Sequence, residues 1–390
     1  MEKPRLLRIT TVPISLHLLL NGQLSFMQSQ GFELLTASAK GSEIKHLRQG
    51  GVAHQVIPLT RTITPFRDLW CLYLLIRLIK SFKPHLVHTH TPKAGVLGML
   101  AAWICRVPIR MHTVAGIPYQ ETTGLKKRVL RWVEKITYHT ATQVCPNSRG
   151  LQQFMESEFP KLKSKYRVIG NGSSNGVNTE FFKPTRELDE AASALKEKSG
   201  IGHGDRVVCF VGRLVRDKGL VELVEACRSL QHRERKTWLV LVGPFEQQLD
   251  PLPPHTLQTI QTHETIITPG FQEDIRPWIR MSQALVLPSY REGFPNVLLQ
   301  AGSLEIPCIA TDINGCNEII ADGKTGLLIK PKNVESLKKA LQHLLEHPDK
   351  AAEMGRLARQ RIENHYSQSY IWNELLLEYK RQLSLVQVHD

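Results

Sequence analysis

The sequence predicts an α/β protein made of two doubly wound parallel-sheet domains, and three observations carry that prediction. Short, almost continuously apolar runs alternate with longer helical patterns along the chain, as expected when strands are covered by helices on both faces. The alternation restarts after residue 200. A length of 390 residues also exceeds one ordinary core and suits two.

In order, buried strands are expected at 6–10, 31–37, 52–58, 86–89, 109–113, 143–145 and 167–169. Amphipathic helices are expected at 65–81, 95–104 and 124–138. The second series places strands at 207–211, 238–242, 265–268, 284–288, 307–310 and 326–329. The segment 175–184, NGVNTEFFKP, is polar and punctuated by Gly and Pro, and it sets the boundary between domains 1–177 and 178–366. A last helix within 367–390 has few strands left to serve and is expected to cross back onto the N-terminal domain.

Composition is that of a folded protein, 42% apolar and 22% charged. The seven cysteines are scattered and form no Cys-x-x-Cys pair, which argues for reduced thiols in a cytoplasm and against a disulfide framework or zinc site. No signal-peptide pattern opens the chain, and the longest apolar stretch, 69–79, is too short to span a bilayer and is broken by Arg77. A soluble or peripheral protein is therefore expected. The net charge of +14 is one-sided: the first 180 residues carry 24 Lys and Arg against 9 Asp and Glu. Such a surface calls for an anionic partner, and nucleic acid, anionic lipid and a phosphorylated acceptor all qualify.

In open parallel sheets ligands sit at the carboxyl ends of strands, so the chemistry is sought there. After the strand 207–211 comes Gly212-Arg213-Leu214-Val215-Arg216-Asp217-Lys218-Gly219 and then a helix. Two glycines let the backbone approach a ligand, the helix N-terminus favours an anion, and Arg213 and Lys218 add full positive charge. A solvated basic turn is the plainer reading of the same residues. After 284–288 comes Ser289-Tyr290-Arg291-Glu292-Gly293-Phe294-Pro295-Asn296, opening a helix. Glu292 can accept hydrogen bonds from sugar hydroxyls, or it and Asn296 can simply cap that helix.

These motifs resemble the large retaining GT-B glycosyltransferase family known as family 4 or group 1. The resemblance rests on Gly212-Arg213…Lys218-Gly219, Glu292-Gly293-Phe294-Pro295, Gly315-Cys316-Asn317-Glu318 and the turn and strand Asp322-Gly323-Lys324-Thr325-Gly326-Leu327-Leu328, in that order. It implies two Rossmann-like domains facing a central cleft, an N-terminal acceptor domain and a C-terminal donor domain. By the same resemblance Arg213 and Lys218 bind the donor diphosphate, with Gly212 in the same loop. Glu292, Gly293, Phe294, Pro295 and Asn296 meet the sugar and phosphate, Glu318 lines the donor site, and the base lies against Phe271. The sequence departs from the family at Gln300, where a second Glu normally holds the ribose hydroxyls; a glutamine carbonyl can still accept one.

The N-terminal half matches less strictly, since Thr11-Val12-Pro13-Ile14-Ser15 lacks the usual glycine pair. His88 and His90 share one strand face, but no third ligand is evident for a metal, so His90 and Lys93 are read as polar residues lining the acceptor side. In many relatives a His at the position of His112 reaches the donor sugar near the reacting carbon; a buried structural histidine is the alternative. The series Gly170, Gly172, Gly176 has the wrong spacing for a dinucleotide fingerprint and suits an interdomain hinge. Two basic amphipathic segments, 66–81 and 124–138, can lie on an anionic membrane.

The expected function is thus transfer of a hexose or N-acetylhexosamine from a UDP-sugar, with retention. The acceptor is expected to be a lipid-linked or polysaccharide acceptor at the inner face of a bacterial plasma membrane. Glu292, His112, Arg213 and Lys218 form the catalytic group. No metal or cofactor beyond the nucleotide-sugar co-substrate is expected, and no nucleic acid. Residues 289–295 and 312–316 are also similar to enzymes that add N-acetylhexosamines in polyprenyl-diphosphate pathways. A nucleotide-sugar epimerase of the same architecture and a nucleic-acid-binding protein are the alternatives. The first gives no reason for the basic surface, and the second leaves Arg213, Lys218 and Glu292 idle.

Overall fold

The computed structural model describes residues 3–387 apart from Pro118, Gln120, Glu121, 231–234, Gln247 and Leu249. The chain divides into two compact units, Met1–Asn175 with Gln368–Asp390, and Gly176–Ser367.

The N-terminal unit holds a parallel sheet of β1 (Arg5–Ile9), β2 (Glu33–Ser38), β3 (Ala53–Val56), β4 (Leu86–His90), β5 (Ile109–Val114) and β6 (Gln143–Pro146), in the order β3-β2-β1-β4-β5-β6. Side chains alternate between its faces with period two. Leu7, Ile9 and Val87 pack towards the helices Pro65–Phe82 and Pro92–Ile104, whereas Leu6, Leu86, Ile109 and Met111 pack with Leu24, Met27, Leu375, Leu376 and Tyr379. The last three belong to the helix Gln368–Gln387, so the end of the chain completes the core of the first unit.

Arg8 lies on that second face, fully buried. Its guanidinium donates to Tyr379 Oη at 2.8 Å and to Gln23 Oε1 at 2.7 Å. Tyr379 Oη is also 2.6 Å from His88 Nδ1, and His88 Nε2 is 2.8 Å from Thr113 Oγ1. One polar chain therefore joins β1, β4, β5 and the last helix.

Two local expectations are corrected. The run 167–169 is not a strand: Tyr166 forms a single bridge to Val144, Arg167 N–H donates to Val144 O at 3.0 Å, and the chain turns at Gly170, whose φ is +55°. A glycine there ends the pairing before a ladder can form. The helix expected over 95–104 begins at Pro92. Proline is at home in a first turn, where its missing N–H costs nothing. Gly95 is a close-approach position inside this helix, because a Cβ would stand 2.5 Å from the His112 ring.

The C-terminal unit repeats the winding with β7 (Arg206–Val211), β8 (Thr237–Val242), β9 (Ile266–Gly270), β10 (Ala284–Leu287), β11 (Cys308–Thr311) and β12 (Gly326–Ile329), in the order β12-β11-β10-β7-β8-β9. Strands one and four of each sheet are neighbours, so the direction of winding reverses between β1 and β4 and again between β7 and β10. Such switch points open a crevice at the strands' carboxyl ends. Among the described residues no helix is long and apolar enough to cross a membrane.

Candidate active site

Both loops singled out in the C-terminal half follow the two strands that flank its switch point, β7 and β10. Gly219 ends the first loop at φ +70° and caps the helix Leu220–Arg228. A Cβ on it would lie 2.0 Å from the carbonyl oxygen of Pro288, at the start of the second loop. The loops are laced together beyond that contact. Tyr290 N–H donates to Asp217 O at 2.8 Å, Arg291 donates to the Asp217 carboxylate at 3.1 and 3.0 Å, and Tyr290 Oη donates to Glu222 at 2.8 and 2.9 Å.

This lacing brings Lys218 Nζ to 2.6 Å from Glu292 Oε1, with side chains only 15% and 14% exposed. An ammonium and a carboxylate thus share one shielded point at the switch. Arg213 does not join them; it pairs with Glu246, on the loop after β8, at 3.1 Å in a more exposed setting. Phe294 is buried against Tyr366, Pro295 caps the helix Asn296–Ser303, and Asn296 is exposed at its first position. No side chain caps that helix, so Glu292 and Asn296 are not its caps. Asn314 Nδ2 lies 3.5 and 3.4 Å from the carbonyls of Glu292 and Gly293, tying the β11 loop to the group. Glu318 is half-buried in the short helix Cys316–Ile319, its carbonyl accepting from Tyr366 Oη at 2.8 Å. Gln300 is half-buried in the helix Asn296–Ser303, Gly212 is half-buried below Arg213, and Phe271 is exposed just past β9.

In the N-terminal unit a pocket of about 140 Å³ opens at the carboxyl ends of β4 and β5, lined by His90, Thr91, His112, Thr113, Glu134 and Ser174 among others. Thr91, at φ +73°, accepts from Thr11 N–H at 3.1 Å and pins the loop after β1 to the loop after β4. His112 Nδ1 is 2.8 Å from Thr89 Oγ1, and burial lowers its pKa to about 4. Burial likewise holds His88 and His90 well below the ordinary histidine value, so all three rings are neutral near pH 7. His88 and His90 stack on each other at 4.4 Å. Among the described residues no group of three His, Cys, Asp or Glu could hold a metal ion. Lys93 lies outside the pocket lining, its ammonium 2.5 Å from Asp68.

The comparisons with known proteins agree with this geometry. Residues 192–361 match the family model described as glycosyl transferases group 1, and residues 25–172 match the glycosyl transferase 4-like domain. The capsular polysaccharide biosynthesis glycosyltransferase CapM of Staphylococcus aureus is 31% identical over 96% of this chain and 96% of its own length. The chain belongs to the group 1 glycosyltransferases. Its enzyme class is therefore transferase, and the comparisons give the epimerase alternative no support. An Escherichia coli relative, named as UDP-Gal:alpha-D-GlcNAc-diphosphoundecaprenol alpha-1,3-galactosyltransferase, is 28% identical over 88% of each chain. The crystal structure of Anabaena HepE with UDP and glucose shares the GT-B fold at a TM-score of 0.80 and 18% identity, over 97% of this chain and 100% of that one.

In this glycosyltransferase several residues of the two sites lie outside the sequence motifs. Glu222 and Glu246 hold the loops of the C-terminal unit through Tyr290 and Arg213, partners distant in sequence. Glu134 had one legible signal: it shares a helix face with Thr137 and Tyr138, three and four residues on, and all three are buried in an otherwise basic segment.

Proposed function

We propose that this glycosyltransferase moves a hexose or N-acetylhexosamine from a UDP-sugar to a saccharide carried on a polyprenyl diphosphate, with retention of anomeric configuration. The observation that carries the donor half is the shielded Lys218–Glu292 pair at the switch point. An arriving donor offers each partner a replacement: the diphosphate for the ammonium, the sugar hydroxyls for the carboxylate. The acceptor hydroxyl oxygen forms a bond to the anomeric carbon as the bond from that carbon to the diphosphate oxygen breaks. The bonding pair leaves with the nucleoside diphosphate, whose phosphate takes the acceptor's proton. Lys218 and Arg213 meet the charge growing on the leaving group, the kind of stabilisation that contributes most when its donors are preorganised. With those cations present no divalent ion is required, and a chelator is expected to leave the rate unchanged.

The names of the Staphylococcus aureus and Escherichia coli relatives support a place in surface-polysaccharide assembly and a lipid-diphosphate acceptor. The N-terminal unit supports contact with an anionic membrane at the inner face of the plasma membrane. The helices Pro65–Phe82, Pro92–Ile104 and Gly124–Thr140 lie side by side and expose Phe66, Leu69, Trp70, Trp103, Leu125 and Trp132. Lys126, Lys127 and Arg128 flank the last group, the combination that seats a protein in a headgroup layer.

The test is a panel of UDP-, GDP- and ADP-sugars offered to wild type, Lys218→Ala and Glu292→Gln, read by nucleotide release with and without lipid-diphosphate saccharides. Turnover of one UDP-sugar that rises with acceptor and collapses in both variants is expected. Equal turnover of all three nucleotide classes, or full activity in the variants, overturns the reading.

A further inference from the structure

The pocket at the ends of β4 and β5 contains a group that the transfer reaction as proposed leaves unused. Glu134 is 4% exposed, yet among the described residues no Lys, Arg or His lies within ion-pair distance of it. A buried carboxyl is costly without hydrogen bonds and is retained where something supplies them. Burial raises its pKa to about 7, against the neighbouring Tyr138 hydroxyl, which favours the ionised form. The same lining holds a group short of a partner: His90 is 7% exposed, and its Nε2 has no hydrogen bond. The remaining lining residues include Leu19, Leu20, Val114 and Ala115, and no Lys or Arg is among them. Lys93, the nearest cation in sequence to His90, is occupied by Asp68.

We propose that Glu134, with His90, reads the hydroxyls of an uncharged sugar ring at the acceptor's reacting end, and that this pocket rejects acceptor sugars bearing phosphate or carboxylate. The proposal rests on the glycosyl-transfer function above and narrows its acceptor. A carboxyl and a neutral imidazole together offer acceptors and a donor to vicinal hydroxyls, and apolar side chains suit the C–H face of a pyranose. An anionic sugar would meet a carboxyl and no cation, a combination that costs binding twice, through repulsion and through desolvation. The ammonium and guanidinium groups of this unit lie outside the lining, where they are available to the carrier diphosphate or lipid.

Around Glu134 the other titratable groups hold one protonation state near neutrality. Burial pushes the Tyr119 and Tyr138 hydroxyls up, His112 down to about 4 and His90 well down. A transition near pH 7 in sugar binding that wild type shows and Glu134→Gln lacks therefore belongs to Glu134.

The probes are octyl glycosides of glucose, galactose, N-acetylglucosamine and N-acetylgalactosamine, with their uronate and 6-phosphate counterparts, titrated into full-length protein saturated with UDP. Wild type is compared with the isosteric Glu134→Gln and with His90→Gln; amide hydrogen-exchange protection of β4 and β5 reports that the N-terminal unit of each variant is folded, and UDP binding reports the other unit. At least one neutral glycoside is expected to bind, tenfold or more tightly than its charged counterparts, with an affinity that changes across pH 7. In Glu134→Gln that affinity drops about tenfold and the pH transition disappears. Charged glycosides binding as well as neutral ones, unchanged affinity in Glu134→Gln, or no neutral glycoside bound by protein that binds UDP, each overturns the proposal. Failure to bind UDP or any nucleotide sugar would instead strike the donor reading.

Discussion

Lys218 and Glu292 are 74 positions apart and meet at 2.6 Å, so each is the other's counter-ion until substrate comes. Lys218→Ala leaves Glu292 shielded without its partner and, in the proposed reaction, removes a cation from the leaving group. A loss in kcat of about 10²-fold or more is expected from steady-state kinetics, since single preorganised donors carry that much. Gly219→Ala should be harmful for another reason: φ is +70° and a Cβ would meet Pro288 O at 2.0 Å. A drop of about 2 kcal/mol or more in denaturant stability is expected, as for strained left-handed positions. Glu134 allows a prediction with a definite sign. Its pKa is raised in the fold from the ordinary 4.5 to about 7, so the native state holds the proton longer than the unfolded chain does. Stability is therefore lost as pH rises from about 4.5 to 7, and Glu134→Gln should raise the melting temperature more at pH 8 than at pH 5. Lys218, Arg213 and Glu292 stand out in the sequence because they sit beside glycines at strand ends. Which partner each chooses was not legible, because pairing is decided by how loops 33 and 74 positions apart are laced.

Among the elements, the strands were readable wherever four or more apolar residues run together, as in 238–242 and 284–287. The run 167–169 was misread for want of length, not of hydrophobicity: one bridge forms and Gly170 turns the chain away. The helix Gly124–Thr140 shows the limit of pattern reading. Its Leu125 and Trp132 are 76% and 64% exposed, while Glu134, Thr137, Tyr138 and Thr140 are buried. A helix that turns its polar residues inward and leaves apolar ones outside covers them with something else in use. Trp132→Ala should weaken flotation with phosphatidylglycerol vesicles by about tenfold, the scale of one large side chain withdrawn from water, and leave binding to phosphatidylcholine vesicles low in both proteins. Equal flotation of variant and wild type would remove this helix from the membrane contact.

At the scale of the whole molecule the chain is not folded in the order in which it is written. The helix Gln368–Gln387 supplies Leu375, Leu376 and Tyr379 to the core of the unit built from the first 175 residues. Tyr379→Phe removes the hydroxyl that serves both Arg8 and His88, at 2.8 and 2.6 Å. Leaving a buried guanidinium short of an acceptor should cost about 1–3 kcal/mol in the unfolding transition of that unit. The helical pattern near the end of the sequence announced an element without saying which of its faces would matter. The tyrosine's role depends on Arg8, a strand residue that nothing in its neighbourhood marks as buried. There is also a consequence for biosynthesis. The N-terminal unit leaves the ribosome first but lacks part of one wall until the codons for residues 368–387 are read. At about 5–20 residues per second, the intervening unit takes roughly 10–40 s to emerge. For that interval the nascent chain carries a six-stranded sheet with one apolar face only partly covered, and chaperone occupancy on stalled chains should fall sharply once residues 368–387 clear the exit tunnel.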